Sequence, residues 1–125
     1  MMNFVYLCLG AILGATGRWG LTLLLNPIVH ILQLGTLSVN YLGCLLMGIM
    51  LAVMIQFPQL SSEWKFFFLT GFLGSFTTFS SFSAEIVQDL LNQKYGAALL
   101  VIVLHLFGGV LFTFAGFFIW RGFNQ

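Results

Sequence analysis

The sequence predicts an all-α membrane protein with four transmembrane helices per subunit, its third helix broken mid-membrane. Three observations predict it. Of the 125 residues, 60% are hydrophobic and only 6% charged, whereas a soluble domain carries about 25% charged residues. The apolar residues fall in long runs, without the alternation of a barrel strand. One of those runs is interrupted by glycines and hydroxyls.

About 20 apolar residues cross the hydrocarbon core of a bilayer. Phe4 to Leu25 is the first span, stopped by Asn26-Pro27. Met1-Met2-Asn3 lacks the basic region of a cleaved leader, so the first span is expected to be retained. Leu34 to Gln56 is the second span, closed by Phe57-Pro58. Glu63 to Asn92 is the third, long and polar in its middle. Tyr95 to Trp120 is the fourth, with Arg121 as a terminal anchor. The connections are short, so residues 1–125 are expected to form a single four-helix transmembrane domain.

Gly10, Gly14 and Gly17 recur at three- and four-residue spacing, and Gly43, Gly48, Gly108 and Gly109 look similar. Small residues at this spacing let helix backbones approach closely in lipid. They serve either packing within one chain or an interface between chains. Cys8 and Cys44 sit inside apolar runs and read as small buried hydrophobes. A net charge of +1 and the absence of a basic patch exclude nucleic acid as a partner.

Orientation in a membrane follows the Lys/Arg bias of the short flanking segments. Arg18 and Lys94 fall on one side of four spans, Lys65 and Arg121 on the other. Two against two leaves neither side favoured. A chain of this kind inserts both ways up, and two opposite copies can pair about an axis in the membrane plane, like inverted repeats. The competing reading is a single orientation set by one dominant basic residue.

Residues Thr70 to Ser83 read TGFLGSFTTFSSFS. Gly71 and Gly74 weaken the helix, and Thr77, Thr78, Ser80, Ser81 and Ser83 supply hydroxyls. Backbone that leaves helical geometry in hydrocarbon exposes polar groups, each costing several kcal/mol, so it is tolerated only inside protein or along a polar cavity. Phe72, Phe76, Phe79 and Phe82 are spaced by four, three and three, a stripe on one helix face. Such a stripe packs against lipid or core, unless hydroxyls beside it mark a permeation path. A ring edge carries the positive end of the aromatic quadrupole, so Phe edges and hydroxyl donors together can stabilise a dehydrated anion.

Gly71-Phe72-Leu73-Gly74-Ser75-Phe76-Thr77-Thr78-Phe79-Ser80-Ser81-Phe82 resembles the signature of the fluoride-specific channels called Fluc or CrcB. Gly14-Ala15-Thr16-Gly17-Arg18-Trp19 and Gly35-Thr36-Leu37-Ser38-Val39-Asn40 are similar to two further elements of that family, in the same order. The resemblance covers essentially the whole chain. Trp19 replaces a frequent Tyr, and Ser75 a frequent Gly. It implies an antiparallel, dual-topology homodimer with two pores that pass fluoride down its gradient. It implies that Phe79 and Phe82 line the pore, with Asn40 as an amide donor to the anion. A structural Na⁺ would be held by the backbone carbonyls of Gly74 and Thr77 from both copies, in keeping with a hard cation's preference for oxygen. The expected setting is the bacterial inner membrane, and the expected role is relief of fluoride toxicity.

Ser80 lies inside the motif and joins the candidate pore lining. Thr113 either continues a hydroxyl track beside the pore or bonds within its own helix. Arg18 either draws anions to a pore mouth or fixes a helix end. Glu85 and Asp89, one turn apart, are expected in a wet vestibule without catalytic work, where their charge would hinder anion access. His105 is expected to be a hydrogen-bonded packing residue, and His30 a loop residue. No nucleophile–base pair or metal cluster is visible, so no enzyme is expected. A proton-coupled exporter like the small multidrug transporters is the main alternative, but the first two spans carry no Asp or Glu. A non-conducting assembly factor is the other, and it gives no reason for the polar break.

Overall fold

The computed structural model describes residues 1–25 and 34–125. The Asn26-Pro27 stop and His30 lie outside them. Among the described residues there is no strand. Helix α1 spans Met2–Leu25 and α2 Leu34–Gln56. The third segment divides into α3 over residues 62–76 and α4 over Phe79–Leu91. Helix α5 spans Tyr95–Phe123. Three helices, α1, α2 and α5, are continuous, long and apolar enough to cross a membrane. Two stretches widen into π-helical turns, Phe66–Leu73 in α3 and Leu104–Gly108 in α5.

The ends show how the segments run. Ser62 Oγ donates to Asn3 Oδ1 at 3.2 Å, which puts the start of α3 beside the start of α1. Trp120 Nε1 donates to Gln56 Oε1 at 2.8 Å, which puts the end of α5 beside the end of α2. A short turn through Asn92 and Gln93, the latter at φ 59°, joins α4 to α5. The broken segment therefore runs the full length of the bundle beside the three continuous helices. Its two halves have different neighbours, α3 lying along α1 and α4 along the start of α5.

Glycine explains the two closest helix pairs. Gly10 and Gly14 of α1 meet the backbone of Phe67 and Phe72, and Gly71 of α3 meets the backbone of Leu7 and Ala11 in return. Gly48 of α2 meets the Thr113 and Phe117 backbone, and Gly116 of α5 meets that of Leu45 and Ile49. No room exists for a Cβ at any of these contacts. At these positions the small residues serve packing within one chain, resolving the alternative left by their spacing.

Candidate functional site

The third segment breaks at Thr77 and Thr78, which adopt extended backbone (φ −80°, ψ 156° and φ −147°, ψ 113°). Local chemistry ends one helix and starts the next. The Thr77 amide and hydroxyl both donate to the Leu73 carbonyl, at 3.1 and 2.9 Å, closing α3. Thr78 is the N-cap of α4, its Oγ1 accepting from the Ser81 amide at 3.2 Å and donating to Ser81 Oγ at 3.1 Å. Hydroxyl side chains favour helix starts because they satisfy amides with no partner in the first turn.

Asn40 of α2 holds the break from across the bundle. Its Oδ1 accepts from the Thr78 amide at 2.8 Å and its Nδ2 donates to the Thr78 carbonyl at 3.1 Å. The side-chain amide thus pairs with a peptide group that has left the helical ladder. One of its two N–H groups is engaged there and the other is not required by this pairing.

A continuous helix would aim the Thr78 amide at Gly74 O and the Ser81 amide at Thr77 O. Here the first donates to Asn40 and the second to Thr78 Oγ1. Gly74 is also exposed on the surface of the chain. The donor set of the expected Na⁺ site, two carbonyls relieved of their helical amides, therefore fits a hard cation.

A cavity of about 300 Å³ opens beside the break. Asn40, Thr77, Phe79, Phe82 and Thr113 all line it, with His105 and apolar residues between them. Phe79 and Phe82 form an edge-to-face pair, centroids 5.5 Å apart at 67°. Phe82 is 7% exposed and Phe79 76% exposed, so one ring is fixed and the other open. The N-terminus of α4 starts at the same place, where a helix favours negative charge. The arrangement brings two phenyl rings, a side-chain amide and a helix N-terminus together at one cavity, with no fixed cation among the lining residues.

Other expected residues stand elsewhere. Ser80 is exposed and outside the cavity wall, its hydroxyl 3.3 Å from Thr78 Oγ1. Thr113 lines the cavity but donates its hydroxyl to Gly109 O at 3.0 Å. The bond within its own helix is therefore the one observed. Arg18 is half-buried on α1, about two turns from its end, and does not line the cavity. Glu85 corrects an expectation: it is 5% exposed, and Asp89 Oδ2 is buried too, so the pair does not stand in an open vestibule. The amphipathic face of α4 turns inward at Glu85 as it packs on α5.

One contribution was not read from the sequence: Thr78 caps and locks the break, as hydroxyl residues at helix starts do. His105 is the hydrogen-bonded packing residue that was expected. Its Nδ1 bonds the Val101 carbonyl at 3.1 Å, and its ring lies on Phe82 at 4.4 Å between centroids. His105, Gly109 and Thr113 recur at i, i+4 and i+8, on one face of the fourth span.

Comparison with known proteins shows the family. Residues 5–117 match the CrcB family, described as CrcB-like protein, Camphor Resistance. A protein of Pasteurella multocida named fluoride-specific ion channel FluC is 56% identical over 119 residues, covering 95% of this chain and 93% of its own. A relative of the same name from Histophilus somni (strain 2336) is 53% identical over 115 residues, 92% and 91% of the two chains. One from Mannheimia succiniciproducens is 47% identical over 122 residues, 98% and 96% of the two. A family match over most of the length, with relatives this similar, places the chain: it belongs to the CrcB family, as a multi-pass membrane protein.

Proposed function

We propose that the chain is a passive fluoride channel that lets F⁻ leave the cytoplasm of a bacterium across its inner membrane. The observation that carries the reading is the cavity beside the Thr77–Thr78 break, where Phe79, Phe82, Asn40 and Thr113 converge. The names of the relatives support fluoride as the ion, and weigh against a multidrug-type exporter. An anion without its water needs donors, but a full positive charge would hold it too tightly for it to leave. Phe79 and Phe82 present ring edges, Asn40 its second N–H, and α4 its N-terminal amides. Each interaction is weak, and together they replace part of the hydration shell. A negative membrane potential then drives the anion outward without coupling to another ion.

The working unit is an antiparallel homodimer with two pores. Support comes from the even division of basic residues and from the exposure of Phe79 and Gly74 on a single copy. A second copy would cover both. Na⁺ bound by the Gly74 and Thr77 carbonyls of both copies would supply a fixed charge at the dimer axis, joining the two breaks. Ser80 lies at the pore edge through its contact with Thr78, and Arg18 has a structural role within α1.

Purified protein in liposomes loaded with fluoride is expected to release it fast, and to hold chloride under the same conditions. Phe79→Ile and Phe82→Ile should each slow fluoride release by more than tenfold. Unchanged release in both variants would remove the two rings from the pore. Protein assembled without Na⁺ should lose flux, and indifference to Na⁺ would discard the central cation.

A further inference from the structure

The residue next to Asn40 holds a second irregularity. The Tyr41 hydroxyl donates to the Leu104 carbonyl at 2.5 Å, and its ring stacks on Phe112 with centroids 4.6 Å apart at 21°. The phenol lies over Gly108, where any Cβ would collide with it. Leu104 and Gly108 are the first and last residues of the π-helical stretch in α5. A side chain placed against the helical ladder is one of the few physical causes of such irregularity, and π turns concentrate at functional sites.

The wide turn carries His105, and His105 carries Phe82. The imidazole is tied to Val101 O through Nδ1, which must therefore bear the proton, since a carbonyl only accepts. Its Nε2 is buried and finds no hydrogen-bond partner among the described residues. Nothing polar competes for the ring, so its position follows the backbone that carries it. Its face lies on Phe82, tilted by 32°. Phe82, at 7% exposed, points where its neighbours allow.

We propose that Tyr41 is a positioning residue for the Phe79–Phe82 pair. Its hydroxyl holds the wide turn of α5 at the register that presents His105 to Phe82, and so sets the direction of the Phe82 edge in the cavity. Closing that turn to ordinary α geometry would rotate the helix on either side, and His105 and Thr113 lie in or beyond it. Asn40 and Tyr41 thus divide the work between adjacent positions of α2. One locks the break of the third segment and the other locks the wide turn of the fourth. The inference rests on the conducting role given to Phe82 above.

Single-channel recording in planar bilayers tests it. Tyr41→Phe keeps the ring and its stack on Phe112 and removes only the donor. The unitary fluoride current is expected to fall several-fold, with the number of channels per reconstituted protein and the elution profile unchanged. In a His105→Leu background the same substitution should have no further effect. Tyr41→Phe channels of normal unitary current, whether as numerous as wild type or fewer, would overturn the proposal. So would effects of Tyr41→Phe and His105→Leu that simply add. If Tyr41→Phe fails to assemble, Gly108→Ala, which crowds the phenol from the other side, must reduce the unitary current instead. A wild type that passes no fluoride overturns the channel reading itself, whereas a conducting wild type matched by the variants overturns this inference alone.

Discussion

The two halves of the third segment are built on opposite principles. The first half, α3, fits against α1 through bare backbone, with Gly71 set against Leu7 and Ala11 while Gly10 and Gly14 receive Phe67 and Phe72. The second half, α4, begins with hydroxyls and an amide: Thr78 caps it, Ser81 answers the cap, and Asn40 reaches over from α2. In hydrocarbon, close packing and satisfied polar groups are the main sources of cohesion between helices. Placing one in each half gives a rigid stem and a break that is polar and held by hydroxyl and side-chain amide bonds. Change in the stem should therefore be fatal, and change at the break selective.

The stem should break hardest. Gly14→Ala places a methyl on the Phe72 carbonyl, and neither backbone has room to give. Overpacking of this kind costs about 1–3 kcal/mol, and more where main chain must move. Loss of monodisperse protein after detergent extraction is expected. Gly96→Ala, where nothing lies within 4 Å, should extract like the wild type. Equal yields of the two variants would contradict the backbone approach of α1 and α3.

The break should fail in a different manner, losing function before fold. Asn40→Asp keeps an acceptor for the Thr78 amide but has no donor for the Thr78 carbonyl. Leaving that carbonyl without its partner costs about 1–3 kcal/mol. The new carboxylate also puts a negative charge on the cavity wall. Fluoride release from liposomes should fall at least tenfold while the protein still elutes as one species. Release at the wild-type rate would remove Asn40 from the ion path.

Much of this contrast was legible in the sequence. Hydropathy alone marked the four helical segments, and the observed helices begin and end within a few residues of the expected bounds. Gly71, Gly74 and the hydroxyl run located the break, because few sequences place so many helix-weakening residues inside an apolar stretch. What could not be read was who satisfies the broken backbone. Asn40 and Thr78 are 38 positions apart, and no periodicity links them. The same holds for Tyr41 and Leu104, whose bond depends on how α2 and α5 lie side by side. Glu85 misled for a related reason. Its place near a helix end suggested water, whereas the face it occupies is decided by the packing of α4 on α5.

The finest test separates the two threonines of the break, which look alike in sequence. Thr78 Oγ1 accepts from the Ser81 amide, a group with no helical partner of its own, so Thr78→Ala removes a cap worth about 0.5–2 kcal/mol. Thr77 Oγ1 instead donates to a carbonyl that the Thr77 amide already serves. Thr77→Val preserves shape and removes a redundant bond, so a few tenths of a kcal/mol at most should be lost, within the range of changes away from special features. Thermal unfolding in detergent should therefore shift downward by several degrees for Thr78→Ala, recover in Thr78→Ser, and hardly move for Thr77→Val. Equal shifts for the two sites would mean that the break is held by bulk alone. Unequal shifts in the expected order would show that it is held by which hydroxyl supplies an otherwise missing partner.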